Sequence, residues 1–258
     1  MKHTCAAVNS NEVWLCSSET SNTLNLDMIG QDKSKSCVSI NINAQTTTPR
    51  ASLKSPHIQG NMVSINDDEM GDTLIIIGGR HLMTGDDPKP TDQVEFCDQK
   101  CVSGNGDWET LPSLPEKLYN GQVTVNTKSK AIYHFGGQGV FQIHHTWGSF
   151  PRVPPGVPLP TFTKTVYSLE FGPLKLVNGK SSINRWRSWV DVGQLQGARC
   201  QGQVVFDIRS EVFWLVGGTD GDVGAGTEKW SEDTKTGEVI ASDESFHRRQ
   251  FSLILMEN

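Results

Sequence analysis

Short apolar runs alternate with polar turns along most of the chain. Residues 62–65, 74–77 and 131–135 are examples, and each is bounded by glycine, asparagine or charged residues. Continuous apolar runs of this length, bounded by turn residues, are typical of buried β-strands. The pattern therefore predicts an all-β fold.

One part of this pattern occurs twice without insertion or deletion. Trp108 aligns with Trp189, and Gly136-Gly137 aligns with Gly217-Gly218, at a constant shift of 81 residues. Both tryptophans stand 28 residues before the first glycine of their pair. An alignment at fixed spacing indicates one supersecondary unit that is used more than once.

Each copy of the unit predicts four short strands, of which the second is apolar on both faces and ends in two glycines. Gly78-Gly79 marks another copy, and Ser17-Ser18 stand where the glycines of the first copy would be. Four copies and the first strand of a fifth unit are predicted, over residues 1–55, 56–117, 118–197, 198–246 and 247–258.

The first copy is the most divergent. Its strands are predicted at residues 3–8, 13–16, 23–26 and 37–42, and a linker rich in Thr, Ser and Pro is predicted at residues 46–56. The third copy has the largest insertion, from residue 138 to about residue 164, and an insertion of this length is usually functional or mobile.

The unit resembles the kelch repeat. The residues that carry the resemblance are the three double glycines, the aromatic residues that follow them, the two aligned tryptophans and the basic residues before an inner strand: Gly78, Gly79, Gly136, Gly137, Gly217, Gly218, Phe96, Tyr167, Trp230, Trp108, Trp189, Arg199 and Arg248. The resemblance is strong for copies two to four and weak for copy one.

The kelch resemblance implies a single β-propeller domain over residues 1–258, in which each repeat is one four-stranded blade. Four blades and one extra strand do not close a ring in the usual kelch way. We therefore expect an incomplete ring that belongs to a longer propeller. The alternative is a small, irregular propeller in which residues 251–256 pair with an unoccupied sheet edge.

Charge and composition exclude several classes of function. The net charge of −6 argues against nucleic-acid or membrane-surface binding, because both require a basic surface. No apolar run approaches the roughly 18 residues of a membrane span, and residues 1–11 have no signal-peptide pattern. We expect a cytoplasmic protein.

The six cysteines do not suggest a disulfide framework. Cys97 and Cys101 form an isolated C-x3-C pair without the second pair of a zinc site. A hairpin loop at residues 9–12 would place Cys5 opposite Cys16, and we expect two buried thiols there, with a cross-strand disulfide as the alternative.

The resemblance implies that the loops after the double glycines and before each inner strand share one face. Basic and aromatic side chains on that face predict a binding site for a protein or peptide partner, and Arg favours an acidic one. The candidate binding residues are Arg80, His81, His144, His145, Trp147, Arg152, Arg199, Arg248 and Arg249. The alternative is that the arginines pair with loop acids such as Asp86, Asp87 and Asp220.

Neither a catalytic group nor a metal or cofactor site is predicted, and the function expected is that of an interaction module. His144 and His145 are adjacent, so in a strand their side chains would point to opposite faces. Some kelch-like propellers are copper radical oxidases or act on sugars or glycosides, but Tyr119, Tyr133 and Tyr167 match no such motif. An enzyme of that kind and a structural or secreted matrix protein stay as alternatives.

Overall fold

The fold is all-β, with four four-stranded antiparallel sheets arranged as the four blades of a β-propeller and a single helical turn among the described residues. The structure is a computed structural model. The structure describes residues 4–17, 34–68, 71–81, 89–141, 159–172, 176–177, 180–181, 186–219 and 226–241. The predicted fold class is confirmed. The predicted start of a fifth unit, at residues 247–258, lies outside the described residues.

Blade 1 contains four strands in sequence order: β1 (Thr4–Asn9), β2 (Glu12–Cys16), β3 (Cys37–Asn41) and β4 (Thr46–Arg50). Two predictions need correction. The run at residues 37–42 is the third strand instead of the fourth, and the predicted linker contains the fourth. Threonine favours strands, and an edge strand tolerates Pro49. The predicted strand at 23–26 lies outside the described residues.

The cysteines of blade 1 do not pair as predicted. A register shift between Ala7 and Asn9 places Thr4, and not Cys5, opposite Cys16. Cys16 lies opposite Cys37 of β3 and forms a disulfide with it. The expectation of a reduced thiol at Cys16 is therefore wrong, because residues 37–41 form the strand next to β2 and bring Cys37 opposite Cys16.

Blade 2 has the spatial order β10-β9-β6-β5. Its elements are β5 (Asn61–Asp67), β6 (Gly71–Ile77), the hairpin strands β7 (Arg80–His81) and β8 (Lys89–Pro90), β9 (Val94–Cys97), the helical turn α1 (Gln99–Val102) and β10 (Glu109–Thr110). Asp98 caps α1 by accepting the Cys101 N–H. Cys101 also forms a disulfide with Cys97, so this pair is no isolated dithiol.

Blade 3 has the order β11-β12-β15-β18, with two short hairpins in its connections. The strands are β11 (Gln122–Asn126), β12 (Ala131–Phe135), β13 (Gln138–Phe141), β14 (Leu159–Phe162), β15 (Thr165–Glu170), β16 (Leu176–Val177), β17 (Lys180–Ser181) and β18 (Val190–Gln194). The β13–β14 hairpin lies at the two ends of the predicted insertion.

Blade 4 again has its strands in sequence order: β19 (Gln203–Asp207), β20 (Val212–Val216), β21 (Thr227–Trp230) and β22 (Gly237–Ala241). The inner strands pack in succession, β1 on β5, β5 on β11 and β11 on β19. Three apolar clusters lie between successive blades.

The aligned tryptophans join neighbouring blades, because a large indole can pack against one blade and donate a hydrogen bond to it. The Trp108 indole donates to the carbonyl of Ala51 and contacts Trp14 of blade 1 edge to face. The Trp189 indole donates to the carbonyl of Pro112, which follows the last strand of blade 2. Each indole thus fastens its blade to the preceding one.

The first glycine of each pair occupies left-handed backbone conformation, with φ of +60° at Gly78 and Gly136 and +66° at Gly217. A Cβ on Gly136 would overlap the carbonyl oxygen of Arg199, so the next blade's connection approaches too closely for a side chain. Ser17 has φ +52° at the matching position of blade 1. Ser17 therefore takes the place of the first glycine, whereas Ser18 lies outside the described residues.

Candidate binding face

Of the nine candidate binding residues, the structure describes Arg80, His81 and Arg199. His144, His145, Trp147, Arg152, Arg248 and Arg249 lie outside the described residues. Arg80 and His81 form β7, directly after the double glycine of blade 2. Arg199 lies in the segment that leads into blade 4. These positions belong to the two kinds of loop predicted to share one face.

Arg199 does not lie on the surface of that face. The residue is only 2% exposed, and its Nη2 donates to Glu228 Oε2 at 2.5 Å. Its Nη1 donates to the carbonyls of Gly217 and Gly226 at 3.4 and 3.2 Å. Burial lowers the pKa of Arg199, and the charge and hydrogen bond of Glu228 oppose that effect. We therefore assign Arg199 to the interior of blade 4.

A matching pair in blade 2 was not predicted. His57 and Glu95 are 0% and 1% exposed, and His57 Nε2 lies 3.2 Å from Glu95 Oε1. The other ring nitrogen, Nδ1, donates to the carbonyl of Gly78 at 2.6 Å. Glu95 also accepts the backbone N–H groups of Lys54 and Ser55 at 2.8 and 2.7 Å. This carboxylate fixes the segment that leads into blade 2.

Glu95 and Glu228 play the same part in two blades. Each is on the third strand of its blade. Each contacts a basic side chain that lies four residues before the inner strand, and each accepts from a backbone N–H three residues before that side chain. Both basic side chains also contact the carbonyl of the first glycine of the pair. We name this arrangement, His57–Glu95 in blade 2 and Arg199–Glu228 in blade 4, the carboxylate clamp.

Burial alone would raise the pKa of Glu95. Hydrogen bonds from His57 and Ser55, together with the positive charge of His57, hold that pKa below its usual value. Glu95 is therefore ionised in the folded chain near neutral pH. Every donor to this buried carboxylate belongs to the segment that leads into blade 2, so the carboxylate holds that segment in place.

Ser55, His57 and Glu95 do not form a catalytic triad. Ser55 Oγ lies 2.5 Å from Glu95 Oε1 and 3.3 Å from His57 Nε2, so serine and carboxylate share one ring nitrogen. In a triad the nucleophile and the carboxylate contact opposite nitrogens of the histidine. His57 Nδ1 instead contacts a backbone carbonyl. The geometry of these three residues therefore matches the carboxylate clamp and not a triad.

Arg80 and Tyr119 form the partly exposed centre of the face. The Arg80 guanidinium lies 5.6 Å from the centroid of the Tyr119 ring, a cation–π distance. The backbone of Arg80 is held by a bridge to Ile58, and that of Tyr119 by a bridge to Gln138. Burial raises the pKa of Tyr119, and the charge of Arg80 opposes this. Tyr119 therefore stays neutral beside the guanidinium.

His81 lies among positive charges. Burial lowers the pKa of its imidazole, and the charges of His57, Lys35 and Lys117 lower it further. Lys35 precedes β3 of blade 1, whereas Lys117 lies between blades 2 and 3. We name Lys35, Arg80, His81, Lys117 and Tyr119 the basic surface. Its members come from the connections of three successive blades.

A metal-binding cluster and a membrane-spanning helix are both absent from the part of the chain that the structure describes. No three His, Cys, Asp or Glu side chains among those residues come together as a metal site. No helix in the same ranges is long and apolar enough to cross a membrane. A cavity of about 560 Å³ lies on blade 4, between the turns that join β19 to β20 and β21 to β22.

Comparison with known proteins supports the fold alone. No family model matches the chain, and no curated protein matches it. The chain is similar to a solved structure described as "Structure of YjhT", with a TM-score of 0.59 and 14% sequence identity. The similarity covers 92% of this chain and 67% of that one. At this identity the two proteins share the β-propeller architecture.

Proposed function

We propose that the chain is a kelch-type β-propeller that binds an acidic segment of a partner protein on its basic surface. The observation that carries the proposal is the concentration of positive charge around His81 in a chain whose net charge is −6. Like charges placed together cost free energy unless an opposite charge arrives, so the surface favours an anionic ligand.

The chemistry of the basic surface favours carboxylates in a peptide. A guanidinium can donate two parallel hydrogen bonds to one carboxylate, whereas Lys35 and Lys117 contribute point charges around it. Tyr119 adds an aromatic face beside Arg80, and such side chains are frequent at the centres of binding sites. The propeller fold itself commonly serves as an interaction scaffold.

The same proposal takes the chain as a binding module without catalysis of its own and without a cofactor. No observation on the described residues favours the sugar-directed enzyme, whereas the two disulfides also suit the secreted matrix protein. A cytoplasmic location stays a prediction. The disulfides Cys16–Cys37 and Cys97–Cys101 favour an oxidising compartment instead, and thiol titration of the protein taken from its natural source would distinguish the two.

A fluorescence anisotropy titration with dye-labelled hexaglutamate tests the binding proposal. We expect the Arg80→Ala/Lys117→Ala variant to bind about tenfold more weakly than wild type at low salt. Lys128→Ala is the matched control. Lys128 lies in the turn before β12, at the end of the blade away from the double glycine, so this substitution should not change binding. Equal binding by all three proteins, or equal binding of hexalysine, would contradict the proposal.

A further inference from the structure

One face of blade 4 differs from the same face of every other blade. The residues one and three positions before the double glycine, or its serine counterpart, face the next blade. In blades 1 to 3 they are buried: Trp14 and Cys16, Ile75 and Ile77, Tyr133 and Phe135. In blade 4 these positions are Trp214 and Val216, and both are half-exposed.

Within the strand β20, exposure is confined to this side. Phe213 and Leu215 point toward blade 3 and are fully buried in the cluster that joins the two blades. Val205 lies opposite Trp214 and is half-exposed with it, as is Val212. We name Val205, Val212, Trp214 and Val216 the open face. No strand of the described residues packs on it as β19 packs on β11.

The cavity on blade 4 lies along one edge of the open face. Val212 belongs to both, and Lys229, which lies opposite Trp214, lines the cavity as well. In blade 3 the turn that joins the two inner strands, β11 and β12, contacts the next blade directly. Asn126 at the start of this turn donates to Glu232 of blade 4 at 2.7 Å. The cavity therefore lies where a following blade would make its contacts.

The sequence that follows β22 repeats the inner-strand pattern. At a shift of 49 residues, Val204 and Phe206 of β19 align with Leu253 and Leu255. Gln201 aligns with Gln250, and the matching residues Gln59, Asn120 and Gln201 all have positive φ, at 59°, 55° and 61°. Phe251 replaces the glycine that is present at position 202.

The length of the segment after β22 also matches the lengths of the connections between blades. The connections between the last strand of one blade and the first strand of the next have 10, 11 and 8 residues, from Arg50 to Asn61, Thr110 to Gln122 and Gln194 to Gln203. From Ala241, where β22 ends, to Ser252, which aligns with Gln203, there are 10 residues.

We propose that residues 252–256 of this chain dock on the open face of blade 4 as an inner strand. Leu253 and Leu255 then contact Trp214 and Val216, as Val204 and Phe206 join the cluster of Tyr133 and Phe135. The driving force is burial of apolar surface, because both partners are apolar at the matching positions. This interaction is independent of the basic surface.

Limited trypsin digestion of the full chain tests the docking. Arg248 and Arg249 align with Arg199 and Cys200, which are 2% and 1% exposed, so docking should bury both cleavage sites. We expect cleavage after Arg248 and Arg249 to be at least about tenfold slower in wild type than in Val205→Asp, which places a charge on the open face. Mass spectrometry identifies the products.

Two further variants keep the test decisive. Leu253→Asp changes the docking segment and not the blade, so it should accelerate cleavage even if Val205→Asp perturbs blade 4. Val190→Asp, at a 55% exposed position on β18, is the control and should match wild type. Equal cleavage rates in wild type and Leu253→Asp would overturn the proposal. So would protection that is lost on dilution, because a second copy would then cover the face.

Discussion

His57 and Arg199 differ sharply from Arg80 and His81, although all four are basic residues at the same end of their blades. The first two are at most 2% exposed and are held by Glu95 and Glu228. The second two are half-exposed on a hairpin strand. The basic residues four positions before an inner strand are thus buried in blades 2 and 4, whereas Arg80 and His81, after the double glycine of blade 2, are partly exposed.

Blade 3 shows that the clamp position is structural. Leu118 stands where His57 and Arg199 stand, and Tyr167 occupies the place of the glutamate. Both are buried, at 2% and 4% exposure. A largely apolar pair thus occupies in blade 3 the place that a basic residue and a glutamate occupy in blades 2 and 4, which is expected if the position serves packing and not ligand binding.

Breaking one clamp should have the largest effect on stability. Glu228→Gln leaves the Arg199 charge buried without a carboxylate, and we expect a loss of about 3 kcal/mol in the free energy of unfolding. Urea denaturation monitored by tryptophan fluorescence measures it.

A paired substitution provides the control for that loss. Arg199→Met/Glu228→Leu removes both charges and imitates the apolar pair of blade 3, so it should recover more than half of the lost stability. If the double variant is as unstable as Glu228→Gln, the clamp does not act as a pair.

A buried histidine without a clamp should make the fold sensitive to acid. His134 is fully buried, both ring nitrogens lack a hydrogen-bond partner, and burial lowers its pKa to about 4. The unfolded chain binds the proton at higher pH, so stability is lost as pH falls from about 6.5 toward 4, by about 1.4 kcal/mol per unit.

The position of His134 suggests the control. Ile76 and Leu215 occupy the matching positions of blades 2 and 4, and both are fully buried. His134→Leu should therefore remove that part of the pH dependence between pH 6.5 and 4, measured as urea midpoints at each pH. An unchanged slope would show that His134 is protonated in the folded chain.

Binding at the basic surface should depend on pH through His81. Burial and three positive neighbours lower its pKa, so the imidazole gains its charge only below the usual value of about 6.5. Affinity for hexaglutamate should rise severalfold as pH falls below about 6.5. Fluorescence anisotropy measures this affinity at each pH. His81→Gln should bind equally across the range. A wild-type affinity that does not vary with pH would exclude His81 from the site.

The smallest effect is expected at an exposed ion pair. Lys128 and Glu211 join blades 3 and 4 with side chains that are each 58% exposed. Because solvent screens such a pair, Lys128→Ala should cost at most about 0.5 kcal/mol in urea denaturation. A loss as large as that of Glu228→Gln would remove the distinction between buried clamps and surface pairs.

The sequence predicts the blades better than the site, for physical reasons. Double glycines and tryptophans mark close backbone contacts and large buried surfaces, and both leave a clear pattern. The edge strand at residues 46–50 buries little and leaves no apolar period. Cys16 lies opposite Cys37 because residues 37–41 form the strand next to β2, whereas the sequence pattern predicted them as the fourth strand of the blade.

The carboxylate clamps could have been found from one weak signal. Glu95 and Glu228 are each the second residue of a third strand, and a basic residue stands four positions before the inner strand of the same blade. Only two of four blades show this pairing, so the repeat alone does not reveal it. The basic surface could not be predicted as a unit, because Lys35, His81 and Lys117 are far apart in sequence and the charges of the two lysines lower the pKa of His81 only in the folded chain.

The most direct test of acidic-ligand binding is an NMR titration of His81. The pKa of its imidazole is measured from the Hε1 signal with and without hexaglutamate. Binding and protonation are linked, so an anionic ligand on the basic surface must raise the pKa of His81. We predict a rise at His81 and no change at His134, which is buried between blades. A bound peptide that leaves the pKa of His81 unchanged would contradict the assignment of this surface.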